Sequence, residues 1–192
     1  DYMGYDPRAY WIWLQHGLSC GSTKPGRILS FFPSIRDFCE AGEQEWRLLG
    51  IFTQKELKAL REYPISEAEG ILDACERFGQ MVLTPDTPGY PQCLREIHNP
   101  PCALYVKGTL PDLDNVPSVA IVGTRDATLS GRKIAFQFGY QLAKTGIVVV
   151  SGGAKGIDTA AHKGALQAKG KTVCVLGCAI GYPYLMENES MR

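Results

Sequence analysis

Residues 119–128 read Val-Ala-Ile-Val-Gly-Thr-Arg-Asp-Ala-Thr, and residues 147–158 read Ile-Val-Val-Val-Ser-Gly-Gly-Ala-Lys-Gly-Ile-Asp. Each begins with a short apolar run rich in β-branched residues and turns at glycine. A helical pattern follows each one. The first covers about 129–145, with Ile134, Phe138 and Leu142 on one face; the second covers about 157–169 and is rich in Ala160, Ala161, Gly164 and Ala165. Val173 to Leu176 is a third apolar run. Strand, helix, strand, helix, strand, with nearly continuous apolar strands, predicts an α/β fold: a Rossmann-like parallel sheet with helices on both faces. The small residues of the second helix would let it approach the sheet closely.

Toward the N-terminus, Ala103-Leu104-Tyr105-Val106 reads as a further strand ended by Gly108. It is preceded by a proline-rich stretch (Pro85, Pro88, Pro91, Pro100, Pro101) with a short helix expected at Leu94 and Ile97. The first 85 residues carry a helical period instead. Thr53-Gln54-Lys55-Glu56 fits a capping box ahead of Leu57 and Leu60, and Ser66-Glu67-Ala68-Glu69 fits another ahead of Ile71, Leu72, Cys75 and Phe78, with Gly79 as a stop. Tyr10, Trp11, Trp13, Phe31, Phe32 and Trp46 are expected in a core rather than as a base-stacking platform. The expected organisation is a small helical module over 1–85 and a Rossmann-like domain over 86–192.

Composition narrows the function classes. The 192 residues are 45% hydrophobic and 21% charged, which is ordinary for a globular chain and excludes a disordered or fibrous one. The longest apolar runs, Ile147–Val150 and Thr172–Ile180, fall short of the roughly 20 residues that a membrane span needs. The N-terminus lacks a signal-peptide pattern, and with no Met at position 1 the sequence reads as a fragment. Cysteines 20, 39, 75, 93, 102, 174 and 178 form no Cys-x-x-Cys pair, so reduced, mostly buried thiols in a cytoplasmic protein are expected, without zinc. The net charge of zero hides an asymmetry. Residues 1–85 carry 9 Lys/Arg against 12 Asp/Glu, while 117–185 carry 8 against 2, a local +6 that points to a bound anion or a solvated helix surface.

In open parallel sheets, ligands bind beyond the carboxyl ends of the strands. The loop Gly123 to Thr128 offers a tight turn, two hydroxyls (Thr124, Thr128) and the planar fork of Arg125 at a helix N-terminus. The loop Ser151-Gly152-Gly153-Ala154-Lys155-Gly156 lets backbone N–H groups approach an anion, with Lys155 among them. Neither is a Walker motif or Gly-x-Gly-x-x-Gly, so no nucleotide cofactor is expected. A glycine turn also serves plain packing, but two such loops, each with a cation, favour a phosphate-binding crevice. Asp158 and His162 share a helix face as a dipole-matched loop partner and a packing residue; no third ligand stands nearby, so no metal is expected. No nucleophile elbow, carboxylate pair or Cys–His arrangement is present, which tilts the reading from catalysis to binding.

The motifs occur together in one order: Tyr90-Pro91-x-x-Leu94-x-x-Ile97, Pro101 to Gly108, Ala120-Ile121-Val122-Gly123-Thr124-Arg125-x-Ala127-Thr128, Val150-Ser151-Gly152-Gly153-Ala154-x-Gly156-Ile157-Asp158-x-x-Ala161-His162-x-x-Ala165-Leu166, Val175-Leu176-Gly177 and Tyr182-Pro183. In this set, over about 90–183, the chain resembles the DNA-processing protein A family (DprA, also called Smf). The resemblance implies an extended Rossmann-like domain that binds single-stranded DNA, behind a helical, SAM-like N-terminal module. It implies protection of incoming DNA in natural transformation (competence) and recombination, help in loading the RecA recombinase, and no known enzyme activity. By motif, Arg125 is the foremost phosphate contact; Thr124 stands where the family often has Ser, and Lys155 lies at a variable loop position. The family domain runs well beyond the Tyr-Pro motif, with more basic DNA contacts and much of a homodimer interface. Against that pattern, a chain ending at Arg192 is truncated or shortened and would leave apolar sheet surface exposed. Two other readings stand beside it. One is a Rossmann-like enzyme hydrolysing nucleoside monophosphates, whose Pro-Gly-Gly-x-Gly-Thr and following Glu are missing here. The other is an interaction module in the helical N-terminal region.

Overall fold

Asp6 ends the leading segment by accepting the N–H of Arg8 at 2.9 Å, and Pro7 opens the first helix, α1 (Pro7–Gly17). The structure is a computed structural model, and residues 4–180 are described. The chain divides into two compact units, Asp1–Gly108 and Thr109–Arg192. The Tyr182-Pro183 motif lies outside the described residues.

In the first unit every residue from Ala9 to Leu14 is buried, so α1 is a central helix rather than an amphipathic surface one. Around it run α2 (Lys24–Leu29), α3 (Ile35–Ala41), α4 (Glu43–Leu48), α5 (Gln54–Glu62) and α6 (Ile65–Arg77). The core between them is aromatic. Trp13 lies 5.5 Å from Trp46 and 6.0 Å from Phe38, ring centre to ring centre, and both indoles are satisfied by carbonyls: Trp13 Nε1 donates to Leu60 (3.1 Å) and Trp46 Nε1 to Phe38 (2.6 Å). Phe32 packs edge-on to Phe38 at 5.4 Å, but Phe31 is 66% exposed, against expectation. Both of their N–H groups close on the Ile28 carbonyl at the end of α2, and neighbouring side chains in that turn face opposite ways.

The Thr53–Glu56 capping box forms in both directions. The expected second box does not: α6 starts from Pro64, and the Glu69 carboxylate instead takes the N–H of Asp6 (3.2 Å), 63 residues away. A tertiary partner outcompetes the local one.

The chain then forms β1 (Gln80–Leu83), the short α7 (Gln92–Arg95) and β2 (Leu104–Lys107), with β1 and β2 antiparallel from Gln80 opposite Lys107 to Leu83 opposite Leu104. The proline-rich stretch between the strands is folded. Tyr90 is buried and donates its hydroxyl to the Pro101 carbonyl (2.8 Å), while Arg95 donates to the carbonyls of Pro85 (2.8 Å) and Tyr90 (3.3 Å). Residues 86–108 therefore belong to the first compact unit, and the units part at Gly108/Thr109 rather than at 85/86. The β1–β2 pairing closes across the prolines and holds them there.

The second unit holds β3 (Ser118–Ala120), α8 (Leu129–Lys144), β4 (Val148–Ser151), α9 (Ile157–Gln167) and β5 (Thr172–Cys174). The three strands are parallel in the order β3-β4-β5, with Val119 opposite Val149 and Val150 opposite Val173, as an α/β Rossmann-like unit requires. Right-handed crossovers that advance the same way across a sheet place their helices on one face. Accordingly Ala143 of α8, Ala161 and Ala165 of α9 and Val149 of β4 share one cluster. Among the described residues helices cover that face.

The buried stripe of α8 is not the expected Ile134–Phe138–Leu142 but its neighbour, Ala135, Gly139 and Ala143; Ile134 and Phe138 are 57% and 61% exposed. The reason is the closeness of the two helices. A methyl group on Gly139 would collide with the Ala161 carbonyl, and one on Gly164 would lie 2.9 Å from the Tyr140 nitrogen and strike the Phe136 carbonyl. Helices at backbone contact admit only small side chains between them.

Candidate functional site

Because β3 and β4 are adjacent and parallel, the loops that follow them leave at the same end of the sheet. Beyond the strands, the Ile121 N–H still reaches the Val150 carbonyl (2.9 Å) and the Val175 N–H the Ser151 carbonyl (2.8 Å), so the ladder extends to the loop bases. The loops are also joined to each other. The Ile157 N–H donates to the Thr124 carbonyl (3.3 Å), and the Ile157 side chain fills the space a Gly123 Cβ would need, with atoms from 2.6 Å. Gly156, at φ 85°, passes so close to the Thr124 and Arg125 carbonyls that a Cβ there would sit 2.6 Å from the latter. The two expected hollows form one continuous ledge.

The candidate residues divide over that ledge. Gly123, Thr124, Arg125, Thr128 and Lys155 are exposed. Thr124 Oγ1 accepts the Asp126 N–H (3.2 Å), and Thr128 Oγ1 caps α8 by accepting the Gly131 N–H (3.0 Å), so both hydroxyl oxygens brace the first loop. In the second loop Ser151 is buried and donates its hydroxyl to the Ile121 carbonyl (2.6 Å). The Gly152 N–H donates to Asp158 Oδ2 (3.1 Å), and a Cβ on buried Gly153 would stand 2.5 Å from Cys174 Sγ. Ser151 and Gly153 thus build the ledge from beneath, while Arg125 and Lys155 stand at its surface. First-turn amides of α9 are engaged by the loops themselves: Ile157 by Thr124 as above, and Thr159 by the Ala154 carbonyl (3.0 Å). The charge an anion would meet here comes from side chains more than from open amides.

Asp158 and His162 lie inside, under the ledge. His162 is buried, and its Nδ1 is 2.7 Å from Thr172 Oγ1, whose own proton goes to the Val149 carbonyl (2.8 Å). The hydroxyl must therefore accept, which places the ring proton on Nδ1. Burial pushes the His162 pKa below its ordinary value against the opposing pull of the Asp158 charge. Asp158 Oδ1 and His162 Nε2 find no protein hydrogen-bond partner among the described residues. The pair fixes the loop and the helix to the sheet. Among the described residues no group of three or more His, Cys, Asp or Glu could hold a metal ion, and no helix is long and apolar enough to cross a membrane.

Sequence reasoning passed over three cations. Arg132, Lys133 and Lys163 line an open groove of about 680 Å3 between α8 and α9, which Gly156 also lines. The local excess of positive charge signalled them, but only the helix packing shows that they converge.

Comparison with known proteins covers this region. Residues 81–192 match the profile of the DNA recombination-mediator protein A family. The chain is 40% identical over 123 residues to Protein Smf of Synechocystis sp., covering 62% of this chain and 31% of that one. It is 43% identical over 103 residues to the DNA processing protein DprA of Streptococcus pneumoniae, covering 54% and 36%. The chain thus spans about a third of the length of these curated relatives. Among solved structures, DprA of Helicobacter pylori, studied for its single-stranded DNA binding mode, aligns with a TM-score of 0.51 at 32% identity, over 58% of this chain and 49% of that one. The X-ray structure of DprA from Streptococcus pneumoniae aligns with a TM-score of 0.54 at 29% identity, over 80% and 57%.

Proposed function

The chain belongs to the DNA recombination-mediator protein A family, and from that premise we propose that it binds single-stranded DNA, holding phosphates on the ledge of residues 123–128 and 151–156. The observation that carries this reading is the joining of the two loops through Ile157 and Thr124, with Arg125 exposed on the joined surface. A guanidinium on a hydrogen-bonded rim suits a phosphodiester, because its planar fork matches the phosphate oxygens. Lys155 adds a second exposed positive charge. Contacts of this kind read the backbone and leave base sequence largely unread, so binding is salt-dependent and sequence-tolerant.

The same reading extends to the whole protein of which relatives are known: protection of single strands in the cytoplasm, delivery to the RecA recombinase, and pairing with a second copy. In each the chain acts as a binding protein rather than an enzyme. The test is fluorescence anisotropy of a labelled oligothymidine against salt. Arg125→Ala should weaken binding about tenfold and flatten the salt dependence by about 0.7. Equal affinity of the variant and the parent would remove the ledge from the interface.

A further inference from the structure

We propose that the groove between α8 and α9 is a second binding segment for the phosphodiester backbone, carrying the strand onward from the ledge. This rests on the single-strand-binding reading above and names residues that reading does not use. Three observations support it.

The groove is chemically one-sided. Arg132, Lys133 and Lys163 line it, no carboxylate among the described residues does, and Phe136 and Ala160 add apolar surface. Cations combined with apolar surface are what a single strand needs, with phosphates at the cations and sugars or bases over carbon.

The groove is continuous with the ledge. Gly156 lines the groove and also packs against the Thr124 and Arg125 carbonyls of the ledge. Arg132 is fixed in direction, since its Nε donates to the carbonyl of Ala127 (3.0 Å) in the first loop. The two helices cannot splay without losing backbone contact at Gly139 and Gly164, so the cations ride on fixed supports.

Two of the three cations are placed against the interest of their own helix. Arg132 and Lys133 lie near the N-terminus of α8, whose first turn carries no acidic residue. Positive charge there opposes the helix dipole, and a bound polyanion would neutralise both the side chains and the dipole.

The experiment compares the parent chain with R132A/K133A/K163A and with Arg125→Ala. The probes are labelled oligothymidines of about 6 and about 20 nucleotides, and affinity is followed against salt. The triple variant should bind the short oligomer like the parent, lose the extra affinity for the long one, and show a salt slope lower by about 2 on it. Arg125→Ala should weaken both lengths. Should the triple variant fail to keep the parent's thermal unfolding curve, Lys163→Gln should lower the slope by about 0.7, with Lys163→Arg restoring it. A folded triple variant with the parent's slope and affinity on the long probe overturns the groove and leaves the ledge standing. A parent that binds neither probe overturns both.

Discussion

The amide of Ile157 donates to the carbonyl of Thr124 across 3.3 Å, and through that bond two loops distant in sequence become one surface. The bond exists because Gly156 lets the chain pass at φ 85° beside the Thr124 and Arg125 carbonyls. Gly156→Ala would force a left-handed non-glycine residue into a backbone contact, at a cost of about 2–4 kcal/mol. Denaturant unfolding should register that loss, and oligonucleotide binding should fall with it; an unchanged midpoint would show that the loops do not depend on this passage.

Two helical glycines should respond in opposite senses to the same change. Gly70 is an exposed position inside α6 with nothing within 4 Å of its Cβ site, so Gly70→Ala should stabilise by about 0.5–1 kcal/mol. Gly164 faces the Phe136 and Tyr140 backbone, and Gly164→Ala should destabilise by about 2–4 kcal/mol despite the better helix propensity of alanine. Urea titration of the two variants decides whether contact or propensity dominates.

His162 predicts a pH dependence. Its folded pKa lies below the ordinary 6.5, so the unfolded chain takes up the proton first as pH falls. The stability it contributes is fully present above about pH 6.5 and declines below it, by at most about 1.4 kcal/mol per pH unit. Unfolding midpoints measured from pH 7 to pH 5 should fall in the parent, and His162→Gln should flatten that fall.

Tyr90→Phe removes only the hydroxyl that reaches the Pro101 carbonyl, leaving that half-buried acceptor without its partner. A loss of about 1–2 kcal/mol in denaturant unfolding is expected. A neutral substitution would mean that the ring alone holds the proline-rich stretch.

Much of this architecture was legible because it is local. The apolar runs ending in Gly123 and Gly152 announced strands followed by turns, and Thr53 with Glu56 announced a helix start that the structure keeps. What escaped depends on partners distant in sequence. Glu69 looked like a capping residue until Asp6 claimed it. The buried face of α8 differs from the expected one because hydrophobicity marks Ile134 and Phe138, whereas backbone contact with α9 selects Ala135, Gly139 and Ala143. The boundary expected at 85/86 lies elsewhere because nothing in the proline spacing reveals that Tyr90 and Arg95 tie that stretch to the first unit. In the site, residue type identified the loops, but not that Ser151 would turn inward to the Ile121 carbonyl or that Arg132, Lys133 and Lys163 would share a groove.

The aromatic core has an optical use. All three tryptophans, at positions 11, 13 and 46, lie in the first compact unit, with the indoles of Trp13 and Trp46 bonded to buried carbonyls, and the second unit has none. Intrinsic indole emission is therefore a built-in reporter of one half of the molecule. Paired with far-ultraviolet ellipticity, which registers both halves, it tells whether they melt together or in succession without any label being added.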